Sequence, residues 1–137
     1  MLHASKIAVN AQLSQALPLI YANSGKLQQV FMNLIMNACD AMPRGGELTI
    51  ATTDCEDSFV RVEVSDNGAG IAPEHLNKIF DPFFTTKSTS RGTGLGLAVT
   101  YGIIREHLGK IEVQSTVGRG SSFRVELPVE RKAVNVA

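Results

Sequence analysis

The sequence predicts an α+β fold, a two-layer α/β sandwich in which helices cover one face of a mixed sheet. Three observations predict it. Apolar residues recur at spacings of three and four over residues 27–42, and again from Leu97 toward Ile104, the period of an amphipathic helix. Residues 47–52 and 59–65 alternate apolar and polar, the period of a half-buried strand, and residues 110–116 and 121–127 read as a second strand pair. Both pairs are joined by short turns and interleaved with the helices, which argues for antiparallel hairpins with helices on one face.

Length and composition set the frame. A chain of 137 residues fits one domain, here 1–128, followed by a polar tail at 129–137. With 44% hydrophobic and 19% charged residues it has the material for a core. The 13 basic and 13 acidic residues cancel, so no charge footprint points to nucleic acid or to an anionic membrane surface. No run approaches the roughly 18–20 apolar residues of a membrane span. The opening Met1 to Lys6 lacks a signal-peptide pattern, and the expectation is a soluble, cytoplasmic piece. Cys39 and Cys55 have neither metal-knuckle nor redox spacing and read as reduced thiols.

Along the chain, Ile7, Val9, Ala11 and Leu13 alternate, and Leu17 to Tyr21 forms a short apolar run, so two short strands are expected over residues 5–21. Asn23 or Ser24 then caps a helix whose stripe is Leu27, Val30, Phe31, Leu34, Ile35, Ala38, Ala41 and Met42, closed by Pro43-Arg44-Gly45-Gly46. A turn at Asp54 to Ser58 joins the first strand pair. Pro73 opens a short helix from Glu74 to about Ile79. Phe80 to Arg91 shows neither period and reads as a long functional loop. A second helix is expected from near Gly94 to His107, with Leu97, Ala98, Tyr101 and Ile103 or Ile104 facing the core and Gly109 just past its end. Val117-Gly118-Arg119-Gly120 turns the last hairpin. Met32 and Met36 fall opposite the apolar stripe of the first helix.

Several polar features have both a structural and a chemical reading. Asn33 and Asn37 lie one turn apart on a helix flank, with Asp40 beside them; they bound a core stripe or aim an amide oxygen at a hard cation such as magnesium. Asp66, at a strand end before Asn67-Gly68-Ala69-Gly70-Ile71, is a turn residue or an acceptor for an exocyclic amine such as that of adenine. Gly92, Gly94 and Gly96 lead into a helix, where unpaired N–H groups favour anions; they serve a polyphosphate or simply loosen the helix entry. The P-loop fails, since Gly96 is followed by Leu97, and so does the dinucleotide fingerprint.

Taken together and in order, these segments resemble the ATP-binding domain of sensor histidine kinases, in the Bergerat-fold superfamily shared with gyrase-type and chaperone ATPases. Asn33-Leu34-Ile35-Met36-Asn37-Ala38-Cys39-Asp40-Ala41 resembles the family's N box and Asp66-Asn67-Gly68-Ala69-Gly70-Ile71 its first glycine box. Phe80-Asp81-Pro82-Phe83-Phe84-Thr85-Thr86-Lys87 resembles the F box, and Gly92-Thr93-Gly94-Leu95-Gly96-Leu97 the second glycine box. Thr85-Thr86-Lys87 is most similar to sensor kinases of the nitrogen-regulation type.

The resemblance implies that ATP and Mg2+ bind along these boxes. Asn37 would hold the magnesium and Asp66 would take the adenine amine, with Gly68 and Gly70 admitting the base to the backbone. Residues 81–93 would form a mobile lid, with Thr86 in it and with Lys87 and Arg91 bringing positive charge to the phosphates. Gly92, Thr93, Gly94, Leu95, Gly96 and Leu97 would line the phosphate side. Where the hydrolytic branch of the superfamily has a glutamate base, this chain has Asn33, which favours phosphoryl transfer over hydrolysis. The acceptor implied is a histidine on a separate dimerisation domain, and a response regulator receiver domain would follow it. His3, His75 and His107 all lack the acceptor's sequence context and read as structural. The competing readings are an anti-sigma-factor-type serine kinase, a non-enzymatic nucleotide-binding module and a hydrolytic ATPase.

Overall fold

A computed structural model of the chain describes residues 6–55, 58–82, 84 and 96–129. Among these residues five strands form one sheet, in chain order β1 (Ile7–Gln12), β2 (Gly46–Cys55), β3 (Phe59–Asp66), β4 (Lys110–Thr116) and β5 (Gly120–Pro128). Two helices accompany them, α1 (Ser24–Asp40) and α2 (Gly96–Glu106). The spatial order is β1-β2-β3-β5-β4; β1 pairs with β2 in parallel and all other pairs are antiparallel, so the sheet is mixed. α1 lies against β3, and α2 lies against β4 and α1.

The alternation of β3 and β5 separates the sheet's two faces. Val60, Val64, Phe123, Val125 and Leu127 point inward and are buried against Val30, Leu34, Ala38, Ile103 and Ile104 from the helices. Leu34, Ile104 and Phe123 are fully enclosed, each contributing roughly 1.5–3 kcal/mol of transfer free energy. Asn23 is the cap of α1: its Oδ1 accepts the Lys26 N–H at 2.9 Å. Met32 and Met36 are exposed, as their place opposite the stripe predicts.

Three expectations need correction. Residues 17–21 form no strand; Pro18 has no N–H to give a ladder, and Leu17 and Ile20, three apart, pack against the core from an extended crossover. The helix expected over 74–79 is a single 3₁₀ turn, Pro73–His75, continued by turns whose N–H groups reach back three residues (Lys78 to His75, 2.8 Å; Asp81 to Lys78, 2.9 Å). Tyr101 is 39% exposed, and Thr100, Ile103 and Ile104 take the buried face of α2. Gly109 stands just past the end of α2, as expected, and the left-handed residue there is Leu108 (φ 61°). Leu108 N–H bonds the Arg105 carbonyl at 3.0 Å and Gly109 N–H the Ile104 carbonyl at 2.9 Å, the paired bonds of a Schellman end. Gly109 is needed for another reason: a Cβ there would collide with the Glu126 carbonyl of β5.

The ladder closes at Val129, whose N–H bonds the Ser58 carbonyl at 3.0 Å; residues 130–137 lie outside the described residues. No helix of the described residues is long and apolar enough to cross a membrane.

Candidate functional site

Asp66 closes the inward column of β3, following Val60, Val62 and Val64, and pairs across to Ser121 of β5. Its half-buried carboxylate accepts the Gly68 N–H at 2.8 Å, a local turn that sends the chain off the strand. Burial pushes the Asp66 carboxyl above the usual carboxylate range, and backbone N–H groups of Gly68 and Ser121 partly offset this. Among the described residues no ion pair reaches it. A half-buried acceptor held, among the described residues, by backbone donors alone has lone pairs left for a ligand amine.

The loop after Asp66 is pinned on two sides by main chain. Ala69 N–H bonds the Ala41 carbonyl at the end of α1 (3.0 Å), and Gly118 N–H in the last turn bonds the Ala69 carbonyl (2.8 Å). A Cβ on Gly68 would collide with Ala41, and one on Gly70, at φ 79°, with Thr116. The nearest occupant at each glycine is therefore the protein's own backbone, so both are required by packing of the loop before any base approaches it. Ile71 N–H donates to Ser115 Oγ at 2.7 Å, which fixes the loop's far end.

The α1 flank supplies Asn33, Asn37 and Asp40, all half-buried. Asn33 Nδ2 donates to the Gly96 carbonyl (3.1 Å) and to Thr100 Oγ1 (3.2 Å), tying α1 to the start of α2. Asn33 thus has a structural task besides any in the site, and it has no group able to take a proton. Asn37, one turn on, borders Ala38 of the core stripe and lies toward the Asp66 loop end of the helix. Phe80 stacks on Tyr101 (centroids 5.4 Å apart) and meets Phe123 edge-on (6.4 Å). Leu97 packs against the core at the first turn of α2.

Asp66, Gly68, Gly70 and Ile71 are thus joined to the end of α1 and to the β4–β5 hairpin, and Asn33 to Gly96. Thr86, Lys87, Arg91, Gly92, Thr93, Gly94 and Leu95 lie outside the described residues, as does most of the lid expected over 81–93. Ser115 and Ser121 were missed, since their segment reads only as strand and turn. The available signal was the inward register of β5, where Ser121 stands in line with Phe123, Val125 and Leu127. A small polar residue in that column announces a polar partner at its layer. His107 bridges two helix ends, with Nδ1 2.8 Å from the Ile103 carbonyl and Nε2 accepting the Asn23 N–H at 3.1 Å, a structural role as expected.

The donor set bears on magnesium. No group of three or more His, Cys, Asp or Glu among the described residues could hold an ion. A single amide oxygen at Asn37 suits a cation that takes its other ligands from phosphate and water, which is the habit of magnesium.

Among the described residues, a mixed five-stranded sheet lies under two helices, with the Asp66 carboxylate at the inner end of a central strand. The chain belongs to the histidine kinase-, DNA gyrase B- and HSP90-like ATPase family, whose model matches residues 22–131. Within that family it is an ATP-binding catalytic domain of the sensor histidine kinase class. The catalytic domain of histidine kinase ThkA, in a nucleotide-free form, is 36% identical with a TM-score of 0.78, over 90% of this chain and 80% of that one. Full-length ShkA in complex with AMPPNP is 30% identical with a TM-score of 0.80, over 92% of this chain and 26% of that one. Sporulation kinase E of Bacillus subtilis (strain 168) is 39% identical over 129 residues, 94% of this chain and 17% of that protein. The chain spans 14–26% of the length of the curated relatives it matches first, all of them kinases.

Proposed function

We propose that this domain binds Mg·ATP and passes the γ-phosphoryl group to a histidine on a dimerisation domain, from which a response regulator receiver domain takes it. Asp66 accepts the adenine amine, Asn37 holds the magnesium through its amide oxygen, and Lys87 and Arg91 bring charge to the phosphates. Gly92, Gly94 and Gly96 line the phosphate side. Bound magnesium supplies charge neutralisation at the phosphate oxygens.

The observation that carries this reading is the Asp66 carboxylate: inward-facing, half-buried, held by backbone N–H groups and reached by no ion pair among the described residues. A neutral imidazole attacks phosphorus with a ring lone pair. The new N–P bond forms as the bond from γ-phosphorus to the β-bridging oxygen breaks, and ADP leaves with that electron pair. No proton need leave the attacking nitrogen as it attacks, so Asn33 in place of a carboxylate base is no handicap. Water as the nucleophile would need such a base, and Asn33 already directs its amide to Gly96 and Thr100. The same reading puts the chain in the cytoplasm, where ATP and reduced thiols are found.

The test is to incubate the chain with Mg·ATP and a separately made histidine hairpin from a full-length kinase of this class. Acid-labile, base-stable phosphate on the hairpin is expected. Phosphoserine on a protein substrate, or release of inorganic phosphate without transfer, would sink the reading.

A further inference from the structure

Among the described residues the hydroxyl of Ser115 has three polar neighbours, and it carries one proton. Ile71 N–H points at its oxygen from 2.7 Å, the Gly120 carbonyl lies 3.0 Å away, and Ser121 Oγ is at 2.8 Å. The first contact uses a lone pair of Ser115, and the carbonyl can only accept. One placement of protons turns all three contacts into hydrogen bonds: Ser115 donates to Gly120, and Ser121 donates to Ser115. Ser115 is then saturated, and Ser121, 7% exposed, has committed its only proton away from Asp66.

Ser121 is the cross-strand partner of Asp66 on the inward face, and its backbone N–H helps offset the upward push of burial on the Asp66 carboxyl. Directly opposed residues hold their Cβ atoms about 4.5–5.5 Å apart, which puts Ser121 in the same layer of the inner face as the carboxylate. With its proton committed, Ser121 shows lone pairs only. The pair then offers acceptors and no side-chain donor, which welcomes an amine and repels a carbonyl oxygen.

We propose that Ser115 is a positioning residue for nucleobase discrimination: by taking the proton of Ser121 it keeps the Asp66 layer acceptor-only, selecting a 6-amino over a 6-oxo purine. The inference rests on the adenine reading above and goes beyond it, since it assigns part of the selectivity to a residue that touches no ligand. Replacing Ser115 by Ala strands the Ser121 proton, which is then free to turn toward a 6-oxo group.

Calorimetric titration of the chain with ATP and with inosine triphosphate, which carries the 6-oxo group, reads the effect as a ratio. The wild type should prefer ATP, Ser115→Ala should shrink that preference about fivefold or more, and Ser115→Thr, which keeps the hydroxyl, should retain it. Ser121→Ala should shrink the preference too, and in that background Ser115→Ala should change the ratio no further; a general loosening of the loop would not cancel in this way. An unchanged ratio in folded Ser115→Ala overturns the inference. If that variant fails to fold, an unchanged ratio in Ser121→Ala overturns it instead. Equal binding of both nucleotides by the wild type overturns the adenine reading itself, and the inference with it.

Discussion

Strands β3 and β5 carry polar residues on both faces, and the two faces treat them in opposite ways. On the outer face Arg61 meets Glu126 at 2.8 Å, Glu63 meets Arg124 at 2.8 Å and Ser65 meets Ser122 at 2.8 Å, so each group finds its complement across the ladder. The inner face is apolar from Leu127 and Val60 to Phe123 and Val64, and then ends in Asp66 beside Ser121. That carboxylate meets backbone donors, and no cation reaches it among the described residues. Paired charges in contact with water are satisfied within the protein; an acceptor left at the end of a dry column is available to something else.

The comparison breaks most completely if the inner layer is pushed apart. Gly120 sits at φ 126°, and a Cβ there would collide with the Asp66 carbonyl. Gly120→Ala should cost roughly 3 kcal/mol or more, read as a lower urea midpoint at unchanged slope. Asp66→Asn should leave the fold intact and weaken ATP binding on the order of tenfold to a hundredfold by calorimetry. Its effect on stability has the opposite sign. Because burial raises the Asp66 carboxyl in the fold, the folded state holds that proton more tightly than the unfolded chain does. The associated stability is present below the unfolded value of about 3.9 and is lost as pH rises through the raised folded value. At neutral pH the ionised carboxylate is therefore a standing cost, and the melting temperature of Asp66→Asn should exceed that of the wild type at pH 7. The difference should shrink as pH falls toward 4, and a variant less stable at pH 7 would contradict the assigned cause.

A smaller effect is expected where α1 meets α2. Thr100 is fully buried, and its hydroxyl accepts from Asn33. Thr100→Val should cost about 1 kcal/mol in urea denaturation, since Asn33 keeps its bond to the Gly96 carbonyl.

Much of this architecture is legible because it is local. The period of α1, the Asn23 cap, the strand alternation and the Asp-to-glycine turn all follow from neighbours within a few residues. What the sequence hides is what distant segments decide. Nothing local indicates that β3 pairs with β5 and not with β4, yet that pairing brings Ser121 to Asp66 and Ser115 to Ile71. Gly68 and Gly70 look like openings for a ligand, because the Ala41 and Thr116 backbones that fill their space come from elsewhere in the chain. Tyr101 fits the apolar stripe of α2 by period, but Phe80 stacks against it at the edge of the core and leaves it part-exposed.

The outer face sharpens the comparison by how little it should matter. The side chains of Arg124 and Glu63 keep 34% and 31% of their exposure, so water screens their attraction and competes for both groups. Replacing the pair with Glu63→Gln and Arg124→Gln together should change stability by less than about 1 kcal/mol, and raising salt should narrow even that difference. ATP affinity should stay within twofold of wild type, because the pair points away from Asp66 across the sheet. The double variant is the right form of the test, since removing one partner alone leaves the other's charge uncompensated and reports that cost instead. A tenfold loss of ATP affinity in the double variant would show that the two faces are coupled through the strands, and the separation drawn between them would fail.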